Sequence, residues 1–166
     1  ANHTIRRIAA DGTVTTIAGM NCESGTDDGV GAAARFNGPA GLAVDSRGVL
    51  YVADTGNHAV RQIDPDGRVR TIAGRKPSGQ DRGYGDTDGA GAAARFWNPW
   101  GVVCDNRGNL LVTDAGNSKV RRLAIHVPGI GETINFGINT NGNPGGFQWQ
   151  RQAQRGIARE PRAPRR

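Results

Sequence analysis

One string sets the terms for this chain. Gly31-Ala-Ala-Ala-Arg-Phe36 returns as Gly91-Ala-Ala-Ala-Arg-Phe96, 60 residues later. The match extends on both sides. Asp28-Gly29 returns as Asp88-Gly89, Pro39 as Pro99, Gly41 as Gly101, Asp45 as Asp105 and Gly48 as Gly108. Leu50, Val52, Asp54, Gly56, Asn57, Val60 and Arg61 return at 110, 112, 114, 116, 117, 120 and 121. An earlier, partial copy opens the chain: Thr16-Ile-Ala-Gly19 matches Thr71-Ile-Ala-Gly74 at a spacing of 55, and Asn2-His3 matches Asn57-His58. A fixed-offset repeat makes each copy one structural unit that buries its apolar face only against its neighbours.

The unit is built from short β-type runs. In the complete copy they are Gly41–Asp45, Val49–Asp54, Ala59–Asp64 and Arg68–Ala73. Between them stand Ser46-Arg47-Gly48, Thr55-Gly56-Asn57-His58 and Pro65-Asp66-Gly67. Glycine and asparagine tolerate positive φ and proline presets the first turn corner, so these are turns. Each unit reads as a four-stranded antiparallel meander, the form of a propeller blade. Composition agrees: glycine is 26 of 166 residues and aromatics are 5%, which excludes a helical bundle. No Gly-X-Y period exists, which excludes collagen, and no apolar run approaches the ~20 residues of a membrane-spanning helix.

The run Leu-Tyr-Val-Ala-Asp-Thr-Gly-Asn-His-Ala-Val-Arg-Gln-Ile, residues 50–63, resembles the NHL repeat. The namesake Asn-His-Leu triplet is Asn-His-Ala at 57–59 and Asn-Ser-Lys at 117–119. Around it stand Pro-x-Gly before and Asp-Gly-x-Val-x-Thr-Ile-Ala-Gly after. The resemblance covers residues 1 to about 125. It implies an all-β chain of antiparallel four-stranded blades in an incomplete NHL-type β-propeller, and a role as a binding platform.

The expected organisation is blades over 1–125, partial at 1–19, full at 39–74 and partial at 99–125. A Gly/Asn-rich linker follows at 126–147, and 148–166 forms a basic, disordered tail. A fourth strand over Glu132–Phe136 and a short helix over Trp149–Arg155 are weaker expectations. About two and a half blades fall short of the ~4–8 that a closed propeller uses. The chain therefore reads as a piece of a longer propeller, or as one that self-associates through open blade edges. One form of the second is a head-to-tail ring of three chains, in which the first two strands complete the next chain's last blade. The start at Ala1 leaves any leader segment, and the compartment, open.

The formal charge of +6 is concentrated in the tail. Residues 148–166 hold six arginines and one glutamate, whereas 1–147 hold 15 Lys/Arg against 14 Asp/Glu. A near-neutral body does not favour nucleic-acid binding, which is left to the basic tail. The two cysteines, Cys22 and Cys104, lack partners at metal-ligand spacing and read as free thiols.

Other motifs resolve into structure. Gly29-x-Gly31-x-x-Ala34 and Gly89-x-Gly91-x-x-Ala94 have dinucleotide-fingerprint spacing but no strand-to-crossover-helix setting, so they read as loops with a short helical turn begun by Asp28 or Asp88. Asp81, Asp86 and Asp88 lack the twelfth-position acid of a calcium loop. Asp54, His58 and Arg61 form a tempting catalytic set, but Asp114, Ser118 and Arg121 repeat the positions, and an active site needs one copy. Asp54, Arg61, Asp114 and Arg121 are accordingly assigned to structure. No catalytic residue, metal or cofactor is expected.

In a meander, alternate connections share a face. The turns Thr55–His58 and Ala115–Ser118 then lie on the face of the long inter-blade loops at 20–38 and 75–98. Long loops on a rigid scaffold carry binding function. The candidate binding residues are Asp54, Asn57, His58, Asp114, Asn117, Arg82, Tyr84, Trp97 and Trp100. The functional expectation is a non-catalytic module that binds another protein or further blades. The alternatives implied by the resemblance are a fragment of a propeller enzyme of lyase or lactone-hydrolase type, and an RNA-binding propeller.

Overall fold

The computed structural model describes residues 1–105 and 108–125. The linker and tail expected over 126–166, with the strand and helix considered there, lie outside the described residues. The ten strands among the described residues run β1 (Ile5–Ile8), β2 (Val14–Ala18), β3 (Gly29–Val30), β4 (Pro39–Val44), β5 (Leu50–Asp54), β6 (Ala59–Ile63), β7 (Arg68–Ala73), β8 (Pro99–Cys104), β9 (Asn109–Asp114) and β10 (Lys119–Ala124). Among the described residues helix is confined to four single 3-10 turns.

These strands form three antiparallel sheets. β1 pairs with β2; β4, β5, β6 and β7 form a complete meander; β8, β9 and β10 form the first three strands of another. The fold is an incomplete all-β propeller. The four expected runs of the complete copy match β4 to β7 to within two residues at each end. The turn chemistry is as the sequence implies: Gly48 and Gly67 sit at φ 80° and 83°, where a side chain is strained. One element has no sequence signal. The two residues of β3, drawn from the first long loop, pair with the outer edge of β7 as a fifth strand. Gly31 N–H extends this pairing by donating to Gly67 O at 3.0 Å.

The core consists of two layers between sheets. Ile5, Ala18, Ala34, Phe36, Val52, Ile63 and Val69 fill the space between the β1–β2 hairpin and the complete blade. Tyr51, Ala53, Val60, Ala73, Ala94, Phe96, Val102, Leu110 and Val112 fill the space between the complete blade and the next. A strand between two neighbours loses the usual alternation. From Tyr51 to Asp54 every residue of β5 is buried, because odd and even positions each face a sheet.

Candidate functional site

Each long loop is held to its blade by one arginine. Arg61, on β6, is 1% exposed and lies against Asp54 at the end of β5. Its Nη1 donates to Asp54 Oδ2 at 2.7 Å and to the Arg35 carbonyl at 2.9 Å. Its Nη2 donates to the Asp27 carbonyl at 2.8 Å and to Asp28 Oδ1 at 2.9 Å. The guanidinium also stands over the Phe36 ring, 5.0 Å from its centre. Four of five donors are thus aimed at the loop or at the carboxylate beneath it. Asp54 uses its other oxygen to accept from Asn37 N–H at 2.8 Å, and Asn57 Nδ2 bridges Asp54 Oδ2 and the Gly25 carbonyl at 2.8 and 2.6 Å.

The arrangement recurs atom for atom one blade on. Arg121 donates to Asp114, the Arg95 carbonyl, the Thr87 carbonyl and Asp88, and stands 5.0 Å over Phe96. Asn117 Nδ2 bridges Asp114 Oδ2 and the Gly85 carbonyl at 2.9 and 2.7 Å. Burial pushes the Asp54 pKa above the ordinary carboxylate value, while Asn37, Asn57 and Arg61 pull it back. Breaking a buried pair of this kind strands a charge, which makes the clamp stringent. Asp28 does not cap the neighbouring 3-10 turn, which has no side-chain cap; it accepts from Arg61, Thr71 and Lys76 instead.

His58 links blades. It takes a left-handed φ of 55°, and its Nδ1 accepts from Asn98 N–H at 3.1 Å, just before β8. His3 does the same for Gly38 N–H at 3.0 Å. Burial lowers the His58 pKa below its ordinary 6.5, opposed by the charge of Asp114. Thr55 adds a second tie, donating to the Pro99 carbonyl at 2.6 Å.

The candidate binding residues thus fall into two groups. Asp54, Asn57 and Asp114 are buried, and with Asn117 their polar atoms are spent on the clamps. Tyr84, Trp97 and Trp100 are 41%, 44% and 62% exposed. Tyr84 stacks on Trp97 with ring centres 5.6 Å apart, and His58 meets Tyr84 edge-on at 5.4 Å. The indole of Trp97 covers Gly116, where any β-carbon would collide with it. Arg82, on the same loop, is exposed and forms no ion pair or hydrogen bond among the described residues. Sequence reasoning did not see that Asn37, Gly25 and the carbonyls of Arg35 and Arg95 serve the clamps. Backbone acceptors carry no residue signal, although the 60-residue recurrence of Asn57 and Arg61 marked their partners.

Among the described residues no group of three or more His, Cys, Asp or Glu side chains could hold a metal, and no helix is long and apolar enough to cross a membrane. Cys22 and Cys104 are free thiols.

Blades of antiparallel strands, each clamped to an inter-blade loop by an Asp–Arg–Asn set, define a propeller segment of the NHL class. The family model described as NHL repeat matches residues 36–63 and 96–123, the span from loop end to third strand in both blades, and the chain belongs to the NHL-repeat family. It is 34% identical over 116 residues to NHL repeat-containing protein 2 of Bos taurus, covering 66% of this chain and 16% of that protein. A solved auxiliary nutrient binding protein of Bacteroides ovatus is similar over 74% of this chain and 32% of its own, with 29% identity and a TM-score of 0.62. A protein of unknown function from Bacteroides thetaiotaomicron aligns with a TM-score of 0.67 at 26% identity, covering 74% of this chain and 30% of its own. The chain spans well under half the length of each of these relatives.

Proposed function

We propose that this chain acts as a non-catalytic binding and scaffold module, meeting another protein through the face that carries the long loops. One observation carries the reading. The two blades share their framework residues but differ where the loop face is exposed. Ser24, Asn37 and Ala40 in the first copy stand opposite Tyr84, Trp97 and Trp100 in the second. Framework residues are duplicated because packing requires them. Three large aromatics exposed at once are not required by packing, and aromatic side chains are enriched in the centres of protein interfaces. The description of one structural relative as a nutrient binding protein supports a binding role in general.

The test replaces each aromatic with the residue its own sister copy tolerates: Tyr84→Ser, Trp97→Asn and Trp100→Ala together. Crosslinking with the cell's own proteins identifies a partner, and its affinity for the purified chain is then measured. A saturable partner lost in the triple variant, with far-ultraviolet circular dichroism unchanged, supports the reading. Equal affinity in both overturns it.

The same chain presents a second contact surface. Leu111 and Val120, at 40% and 56% exposed, occupy the positions of Tyr51 and Val60, which are fully buried against the next blade. The occupant that fits is a further blade, since the contact between the complete blade and β8–β10 already displays one. A head-to-tail ring in which β1 and β2 finish the next chain's last blade needs the outer edge of β9, and β10 holds that edge along its whole length. Light scattering over a concentration series reads this directly. A monomer at all concentrations is expected without added blades, and a discrete trimer overturns that expectation.

A further inference from the structure

Two glycines bracket the start of each long loop. Gly19 and Gly74 end the Thr-Ile-Ala-Gly strings, and Gly25 and Gly85 donate to the Phe36 and Phe96 carbonyls at 3.1 Å. Between these fixed points the first copy has five residues, Met20-Asn-Cys-Glu-Ser24. The second has ten, Arg75-Lys-Pro-Ser-Gly-Gln-Asp-Arg-Gly-Tyr84. The short segment carries one acid and no cation. The long one nets +2, from Arg75, Lys76 and Arg82 less Asp81.

The acid is the part the two copies share. Glu23 pairs with Arg35 at 2.8 Å, and Asp81 accepts from both Arg95 Nη atoms at 2.8 Å. One acid therefore holds the loop arginine in each copy, and that anchoring uses none of the three added cations. Lys76 reaches across to Asp28 in the preceding clamp at 3.1 Å. Arg75 lies 3.3 Å from Asp81, whose two oxygens are already bonded by Arg95, and its side chain is 51% exposed. Arg82 is exposed and unpaired among the described residues. The Arg75 carbonyl packs on Gly83 so closely that a β-carbon there would collide with it. Arg75 is thus brought beside the residue that separates Arg82 from Tyr84, and Tyr84 stacks on Trp97. Two under-neutralised guanidinium groups border the exposed aromatic pair.

Resting on the loop-face reading above, we infer that the partner presents an acidic segment, with carboxylates that meet Arg75 and Arg82 and an apolar side chain that lies on Tyr84 and Trp97. Charge complementarity selects this occupant. The planar fork of arginine matches a carboxylate, and an adjoining apolar side chain uses the aromatic area. The chain's own tail has the wrong sign, since 148–166 hold six arginines and one glutamate. A nucleic-acid strand calls for a groove of cations that follows its backbone. Here two arginines stand together, while Lys76 and Lys119 are paired with Asp28 and Asp86. The first copy, with Met20, Asn21 and Ser24 at the corresponding place, offers neither cations nor aromatics.

The test is an NMR titration of the full chain with a short synthetic peptide of glutamates around one central phenylalanine. A glutamine version of the peptide and oligouridine RNA serve as comparisons. The glutamate peptide is expected to shift residues 75–84 and the Trp97 indole, and to bind about tenfold more weakly when salt is raised from about 50 to 300 mM. Arg82→Glu is expected to weaken binding about fivefold, and Arg82→Lys to restore it to within about twofold, because the charge is what is read. Arg82 has no partner to lose, so neither change disturbs the fold. Equal affinity for the glutamine peptide overturns the acidic assignment and leaves the loop face a protein-binding surface that works through its aromatics alone. Tighter binding of oligouridine at the same residues overturns it in favour of a nucleic acid. Absence of binding by the glutamate peptide at about 1 mM also overturns it. The loop-face reading itself falls only if the crosslinked partner survives the aromatic triple variant.

Discussion

In the blade formed by β4 to β7, Arg61 is 1% exposed and its outer acid Asp28 is 39% exposed; in the blade begun by β8 to β10, the same two positions, Arg121 and Asp88, are 8% and 72% exposed. The hydrogen bonds within the two clamps are otherwise the same. What differs is coverage. The first blade has neighbours on both faces and a fourth strand on its edge, and Thr71 and Lys76 complete the shell of Asp28. The second has one neighbour among the described residues. The comparison separates what a repeat encodes within itself, the Asp–Arg–Asn clamp, from what it borrows from its surroundings, the sealing of that clamp from water. The cost of a stranded charge rises with burial, so the two clamps should not be worth the same.

The largest expected effect breaks that comparison directly. Arg61→Ala leaves Asp54 fully buried without its cation, and is expected to cost about 3–5 kcal/mol, the usual loss when one member of a buried pair is removed. Arg121→Ala strands Asp114, equally buried, but in a blade open to solvent on its outer side, where water reaches the vacated space. A loss about half as large is expected there. Urea denaturation of the two variants beside the wild type gives both numbers. Equal losses would mean that coverage does not set the strength of the clamp, and that its own bonds do.

The repeat made most of this legible. A 60-residue offset placed strands β4 to β6 and β8 to β10, a 55-residue offset placed β7, and the doubling of Asp54, Arg61, Asp114 and Arg121 was the reason to assign them to structure. Pairing of the short segment β3 with β7 was not legible, because Gly29-Val30 has no strand pattern and is recruited by an edge supplied 38 residues later. The latch function of His58 was not legible either. Its acceptor role depends on the backbone of Asn98 arriving from the next blade, and a lone histidine in a turn carries no sign of that. The sequence also placed Asp54 and Asn57 in a binding group and Asp54 in a structural one. Residue type could not separate the two, since a carboxylate at a strand end serves a turn or a ligand equally well; in the structure Asp54 and Asn57 are both buried and bonded to each other.

A smaller effect sharpens the contrast on the loop face. Trp97→Asn with Tyr84→Ser rebuilds the second loop with the residues of the first. The stacked pair and the edge contact to His58 are lost, and aromatic pairs contribute about 0.5–1.5 kcal/mol beyond the area they bury. The expected loss is therefore about 1 kcal/mol, with a reduced near-ultraviolet dichroism band and no change in far-ultraviolet β signal. A loss several times larger would mean that the aromatics hold the loop as a part of the core, and would move them out of the binding group.

The smallest effect uses pH. His58 latches the second loop as a neutral imidazole, because Nδ1 must keep its lone pair for Asn98 N–H. Its pKa in the fold lies below the ordinary 6.5, chiefly through burial, with the Asp114 charge acting the other way. The folded chain thus binds fewer protons here than the unfolded chain does. The stabilisation is fully present above about pH 6.5 and is lost as pH falls through the values below it. One neutral hydrogen bond contributes about 1 kcal/mol, so the drop is small and local. Faster exchange of the Asn98 amide between pH 7 and 5, after correction for intrinsic rates, is the expected result. His58→Ser places the residue of Ser118 in the turn and should flatten that dependence while leaving the Arg61 clamp protected. A pH response that persists in His58→Ser would assign it to another group on the loop face and leave the latch a passive contact.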